Sequence, residues 1–199
     1  MIPGAGLSSP AVVGGFRGAD ARLPLTLAMG YVPTDWETGG VGLHDPSAGL
    51  EVQEWTFTLR GDTVVVRAAD GSETELLTAD GITELAGTFD ANMAVAVAFV
   101  RAQQTTLYWY DTTIHDYTTT AVAGTSPRLT LDDKRPLHVA DRDILLVYLR
   151  ADKIYYRQQR DRYGTEYPLG DLPAGTERLG RVGMSTAGRV QVECLGAPV

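Results

Sequence analysis

Few residues in this chain have the type and spacing that chemistry needs. The densest carboxylates are Asp132, Asp133, Asp141 and Asp143, in the run D-D-K-R-P-L-H-V-A-D-R-D. A hard cation such as Ca²⁺ wants six to eight oxygens from one loop. Here Lys134, Arg135 and Arg142 interrupt the acids and oppose a cation, so ion pairing within the loop is the favoured reading and no metal is assigned. His44, His115 and His138 are far apart and show no zinc-binding spacing. His44 and His115 read as solvated turn residues. Ser126 and Ser185 have no evident His partner, and there is no G-x-S-x-G elbow. Glycoside hydrolysis needs two carboxyls across a sugar, or a tyrosine nucleophile among arginines. Glu84, Glu177, Arg101 and Arg150 recur at equivalent places in a repeat. Recurrence points to structure, because a catalytic residue is normally unique. No catalytic residue and no cofactor is assigned, and the chain reads as a non-enzyme.

Two other groups could bind a partner. Aromatic rows occur at Tyr108-Trp109-Tyr110, Tyr155-Tyr156, Tyr163 and Tyr167. Neighbours on a strand face opposite sides, so one of each pair is core and the other can be exposed. Cross-strand aromatic packing accounts for most of them. Trp109, Tyr156 and Tyr163 are the candidates for stacking on a sugar. The run R-Q-Q-R-D-R, from Arg157 to Arg162, is a basic cluster in an acidic protein. Asp161 breaks it, so an acidic neighbour or another subunit fits better than nucleic acid. Arg157 and Arg160 are its candidate contacts.

These residues sit on strands. W-T-F-T-L-R alternates from Trp55 to Arg60, Gly61-Asp62 signals a two-residue turn, T-V-V-V-R-A returns, and S-E-T-E-L-L follows Asp70-Gly71. The pattern repeats at A-V-A-V-A-F-V-R, T-L-Y-W-Y-D-T and Y-T-T-T-A-V, and again at I-L-L-V-Y-L-R, K-I-Y-Y-R-Q and T-E-Y-P-L. Leu59-Arg60, Val100-Arg101 and Leu149-Arg150 align at offsets of 41 and 49 residues, within the range of propeller-type repeats. The same alignment groups Val65 with Tyr108 and Tyr155. I-T-E-L-A-G-T-F-D, S-P-R-L-T-L-D and T-E-R-L-G-R-V-G-M-S supply a preceding strand. R-L-P-L-T-L-A near residue 22 resembles the first of these. The expected fold is mainly β: repeated three- or four-stranded antiparallel sheets, stacked like part of a propeller or a sandwich. A lone sheet cannot cover its apolar face, so neighbours must stack. Asp90 to Ala102 reads as strand rather than helix because its apolar residues are β-branched and spaced by two.

The expected organisation is an arm, edge strand and loop over 1–50, and a β-repeat domain over 51–199, with units near 51–80, 81–124, 125–175 and a half unit 176–199. The arm is rich in Gly, Ala, Ser and Pro. The loop from Tyr31 to Leu50 is longer than a compact domain usually holds. Tyr31, Asp35 and Trp36 are its candidate partner contacts; Trp36 folding back on its own sheet stays equally open.

The 199 residues carry 17 Lys+Arg against 25 Asp+Glu, a formal charge of −8. Nucleic acid and anionic lipid repel such a surface. No 18-residue apolar run predicts a membrane span, and the start lacks the pattern of a signal peptide. Cys194 is the one cysteine, which excludes an intrachain disulfide; its strand pattern predicts a buried, inert thiol. A soluble intracellular product or a particle component assembled in the cytoplasm fits this composition.

S-P-R-L-T-L-D-D-K-R, D-I-L-L-V-Y-L-R and Y-Y-R-Q-Q-R-D-R-Y, at Ser126–Arg135, Asp143–Arg150 and Tyr155–Tyr163, resemble structural proteins of tailed-bacteriophage tail modules. The resemblance covers residues 80 to 195. It implies a virion component near the tail tip or baseplate, in several copies around the tail axis, in contact with other tail subunits. It supplies no catalytic residues. The alternative it leaves is a receptor- or carbohydrate-binding module of the adhesion apparatus, with a host surface glycan as partner.

Overall fold

The structure, a computed structural model, describes residues 56–68, 71–90, 94–132, 143–184 and 189–196 in full, and the backbone of four short strands before them. Those four are β1 (Val12–Val13), β2 (Thr26–Ala28), β3 (Gly42–Leu43) and β4 (Gln53–Glu54). Then come β5 (Thr56–Arg60), β6 (Thr63–Arg67), β7 (Glu73–Thr78), β8 (Ile82–Phe89), β9 (Val95–Arg101), β10 (Gln104–Asp111), β11 (Asp116–Ala123) and β12 (Thr125–Leu131). The chain ends with β13 (Ile144–Arg150), β14 (Lys153–Gln158), β15 (Tyr167–Asp171), β16 (Thr176–Met184) and β17 (Val190–Gly196). One 3-10 turn, Gln159–Asp161, follows β14. The described residues include no α-helix, and within the stretch from Asp90 to Ala102 the residues Val95–Arg101 form a strand, as the pattern predicts.

Four sheets follow one another. Sheet I is β5-β6-β7; sheet II is β11-β10-β9-β8, with β2 added; sheet III is β12-β13-β14-β15; sheet IV is β16-β17, with β1 added. A two-stranded ladder, β3-β4, stands apart from them. Within each repeat the pairing is antiparallel; β1 and β2 join β17 and β8 in parallel. The inner strands β8, β12 and β16 pack in succession.

Three apolar seams hold the stack. Phe57, Val64 and Val66 of sheet I meet Leu85, Val97 and Phe99 of sheet II. Ala98, Leu107, Trp109 and Val122 of sheet II meet Leu129, Ile144, Leu146 and Tyr148 of sheet III. Leu145, Val147 and Leu149 of sheet III meet Leu179, Val182, Val192 and Cys194 of sheet IV. β13 therefore feeds two seams from its two faces. That is why I-L-L-V-Y-L lacks polar alternation: a strand buried on both sides reads as a continuous apolar run. Each such side chain contributes roughly 1.5–3 kcal/mol when buried, and a single sheet could bury only one of the two faces.

The three hairpins share one geometry. Arg60 pairs with Thr63, Arg101 with Gln104 and Arg150 with Lys153, so the expected offsets hold there. The first turn residue has positive φ in each: Gly61 at 59°, Ala102 at 48° and Ala151 at 54°. Farther along, one alignment needs correction. Counted from the turns, Val65 matches Tyr155 and Thr106, not Tyr108; Val65 lies opposite Thr58, Thr106 opposite Phe99 and Tyr155 opposite Tyr148. Tyr108 is two residues on, one strand period away, so it keeps the same face. A second correction concerns the expected first strand near residue 22. Thr26–Ala28 pairs with Leu85–Gly87 of sheet II; it adds to the second sheet rather than completing the first.

Two glycines are fixed by contact. A Cβ on Gly87 would overlap the Phe57 ring, which seats on β8 at that point. A Cβ on Gly124 would lie 2.6 Å from the Tyr148 ring, and its φ of 153° suits glycine. Gly124 is the single residue between β11 and β12, so the chain passes from one sheet to the next with no room for a side chain.

Candidate functional site

Polar side chains buried in the stack fall into three groups. The first lies between the inner strands. Arg128 on β12 is buried. Its Nε donates to Gly180 O at 2.8 Å, one terminal nitrogen to Pro127 O at 2.6 Å, and the other to Leu179 O. Glu84 of β8 lies 3.9 Å from it and accepts the Ser126 amide at 3.2 Å. Ser126 Oγ accepts the Leu179 amide at 2.7 Å. Sheets II, III and IV are thus tied at their inner strands. Burial pulls the guanidinium down to about 10, against the pull of Glu84, so it stays charged at neutral pH.

The second group surrounds the β14–β15 turn. Arg162 donates from Nε to Asp111 at 2.8 Å. Arg160 pairs with Asp143 and lies 3.9 Å from Asp132. Gln159 Oε1 accepts the Ile144 amide at 3.1 Å. Arg157 donates to Tyr163 O at 2.7 Å and to Tyr148 Oη at 3.1 Å. This turn clamps the end of sheet II to the end of sheet III. Burial pushes the Asp111 carboxyl up; the Thr113 amide and hydroxyl and the Arg162 guanidinium outweigh it and hold it below its ordinary value. Backbone strain collects here: Arg162 and Tyr163 have φ of 56° and 58°, a conformation that non-glycine residues adopt only when their surroundings impose it.

The third group has the residue types of tyrosine-nucleophile sugar chemistry. Tyr148 donates to Glu166. Arg150 pairs with Glu166 at 2.5 Å and stands over the Tyr155 ring at 4.5 Å. Arg157 lies 3.6 Å from the same carboxylate. Tyr148 is 0% exposed, and burial with the Glu166 hydrogen bond pushes its hydroxyl up to about 12. It is a neutral phenol in a closed seam, where no sugar can reach it. Of this group the repeat pattern singles out Arg150; Glu166 carries no such signal, because it stands outside the repeated positions.

The structure revises several sequence-based candidates. Trp109 is core: its ring meets Tyr163 edge-on at 5.0 Å and its indole N–H donates to Thr120 at 3.0 Å. Tyr163 is 0% exposed, and burial, then the carboxylates Asp143, Asp90 and Asp161, push its hydroxyl well above the usual value. Neither offers a face to a sugar. Tyr156 is half-buried in the third seam and stacks on Tyr167 at 5.1 Å. For Trp109 and Tyr156, alternation says that adjacent residues part, but not which of them turns inward; Tyr163 stands in the turn after β14, outside any strand pattern. Arg160 meets the acidic neighbour Asp143, one of the two alternatives, and Arg157 on β14 bonds to Tyr148 and the Tyr163 carbonyl within the chain. Asp132 and Asp143 meet Arg160; Asp133 and Asp141, with Lys134, Arg135 and Arg142, lie outside the described residues. So do the side chains of Tyr31, Asp35 and Trp36, together with His44, His138 and Ser185.

No family model, curated protein or solved structure matches the chain. What it does must therefore be argued from its own geometry.

Other expectations agree with the structure. His115 is exposed in the β10–β11 turn. Cys194 is buried, and burial pushes its thiol up, which disfavours the reactive thiolate. The recurring arginines each find a carboxylate: Arg60 pairs with Glu73, Arg101 with Asp80 at 2.5 Å, and Arg150 with Glu166. Among the described residues, no helix is long and apolar enough to cross a membrane.

Proposed function

We propose that the chain is a structural subunit of a bacteriophage tail, acting through subunit contacts near the tail tip or baseplate. The observation that carries this reading is where its polar chemistry sits. The buried Arg128 and the Arg162–Asp111 clamp hold one sheet to the next, while Arg160 and the Tyr148–Glu166 pair brace sheet III from within. Such a body is a rigid block with three buried seams, suited to bearing contacts and not to turning over a substrate. The parallel addition of β1 and β2 supports the same reading. The N-terminal segment reaches sheets by adding strands, a mode of attachment that proteins also use between chains.

The test is composition and place. Tailed particles are purified and analysed by mass spectrometry, and a particle map is calculated. Presence of the chain in fixed copy number, touching other tail subunits, is the expected result. A chain absent from particles, or present in irregular traces, overturns the assignment.

A further inference from the structure

We infer that β11 is a pairing edge, and that its partner is β11 of a second copy, running antiparallel across a two-fold axis. This rests on the structural-subunit reading in part, since it names the surface such a subunit would use.

Three strands form the outer edges of sheets I, II and III: β7, β11 and β15. Open edges expose unpaired backbone groups, and proteins usually blunt them with charge, proline or a bulge. β7 carries Glu73 and Glu75, and its pairing with β6 shifts register between Val64 and Val65. β15 is short, carries Pro168, and its pairing shifts between Ile154 and Tyr155. β11 carries one charge, Asp116 at its first residue, and no proline or register shift. It runs eight residues, D-Y-T-T-T-A-V-A. It pairs with β10 from Asp111↔Asp116 to Thr105↔Val122 without a shift. From Tyr117 to Ala123 it holds no charge, proline or glycine.

A second observation falls at the same place. Among the described residues the exposed large hydrophobics are Ile114, 52% exposed, and Tyr117, 37% exposed. Ile114 lies in the turn before β11, and Tyr117 is its second residue, with its ring stacked on Tyr108 at 4.8 Å. Exposed apolar groups beside an open strand mark an interaction site.

The strand's own asymmetry selects the occupant. One end is large and bears Asp116; the other has the small, exposed Ala121 and Ala123. A parallel copy would set Asp116 beside Asp116 and Tyr117 beside Tyr117. An antiparallel copy sets Ile114 and Tyr117 against the alanine end, and each Asp116 against neutral residues. The middle, Thr118 to Thr120, then faces itself, and threonine pairs are favourable across strands. A surface that complements itself in this way is what a two-fold interface requires.

The test uses the full chain. Sedimentation and light scattering across a concentration series should show a monomer–dimer equilibrium. Thr119→Lys with Ala121→Lys places like charges across the dyad and should weaken the dimer at least about tenfold; Thr74→Lys on β7 should leave it unchanged. Hydrogen exchange provides a readout that needs no variant: protection at residues 117–123 should rise with concentration, while protection over β7 does not. A monomer at every concentration, open-ended polymers, or a dimer indifferent to the double lysine variant would overturn the inference. A chain that enters particles yet stays monomeric overturns the edge pairing alone; a dimer that never enters particles overturns the tail assignment alone.

Discussion

The inner and outer strands of this stack solve different problems. The inner strands β8, β12 and β16 meet one another and bury polar groups, of which Arg128, Ser126 and Glu84 have their partners fixed. Arg128 spans three carbonyls, and Ser126 joins an amide of one sheet and a carboxylate of another. The outer strands β7, β11 and β15 face water and use exposed pairs such as Lys153 with Asp171, 2.6 Å apart. Water screens these and competes for them. The lesson is that charge has no fixed structural value in this molecule. A guanidinium at the centre is indispensable because nothing else can satisfy its neighbours; one at the rim is replaceable.

Arg128→Ala breaks the inner network most directly. It strands the carbonyls of Leu179 and Gly180 and leaves Glu84 without its cation. Loss of one member of a buried charged set costs about 3–5 kcal/mol, read as a lower urea midpoint with sheets III and IV exchanging hydrogen first. A midpoint close to the parent's would show that inner and outer charges are equivalent after all.

Gly87→Ala tests whether the apolar part of the interior is as exacting. The added methyl meets the Phe57 ring, and overpacking of this kind costs about 1–3 kcal/mol. Adding Phe57→Leu should recover part of the loss, because the smaller side chain vacates the socket. Failure to recover would place the strain in the β8 backbone instead.

Asp111→Asn tests the clamp between the two extremes. The folded carboxyl lies below its unfolded value, so its contribution is present above the ordinary carboxylate range and disappears as pH falls through the lowered folded value. The parent should therefore lose stability on acidification more steeply than the variant. Urea midpoints at neutral and acid pH give the comparison, and parallel curves would remove Arg162–Asp111 from the clamp.

Ala151→Gly has the smallest expected effect and the opposite sign. A left-handed alanine costs roughly 1–2 kcal/mol, and the freedom of glycine in the unfolded chain returns roughly 0.5–1. A gain of about 0.5–1 kcal/mol in thermal or urea unfolding is expected; a loss would mean that the alanine methyl packs usefully on the rim.

Much of the fold was legible because period and turn chemistry are local. T-V-V-V-R after Gly61-Asp62 can form only a returning strand, and the spacing of Arg60, Arg101 and Arg150 exposed the common hairpin. The apolar run of β13 was legible too, since I-L-L-V-Y-L has no polar side to show water; that its two faces enter two different seams was not. The inward turn of Trp109 and Tyr163 was not. Nothing in Y-W-Y states which neighbour faces sheet III; that depends on where β12 and β13 come to lie. The destination of Arg157, Arg160 and Arg162 was equally hidden. Arg162 meets Asp111 across 51 residues and Arg160 meets Asp143 across 17, and only folding sets those carboxylates beside the β14–β15 turn.

Sequence alone determined the strands, their hairpins, and the need for sheets to stack, because each follows from the alternation and turn residues of a short segment. The tertiary structure decided which charges are interior, which aromatics are core, and which edge stays open. Those depend on the distance between segments remote in the chain, and no local pattern encodes such a distance.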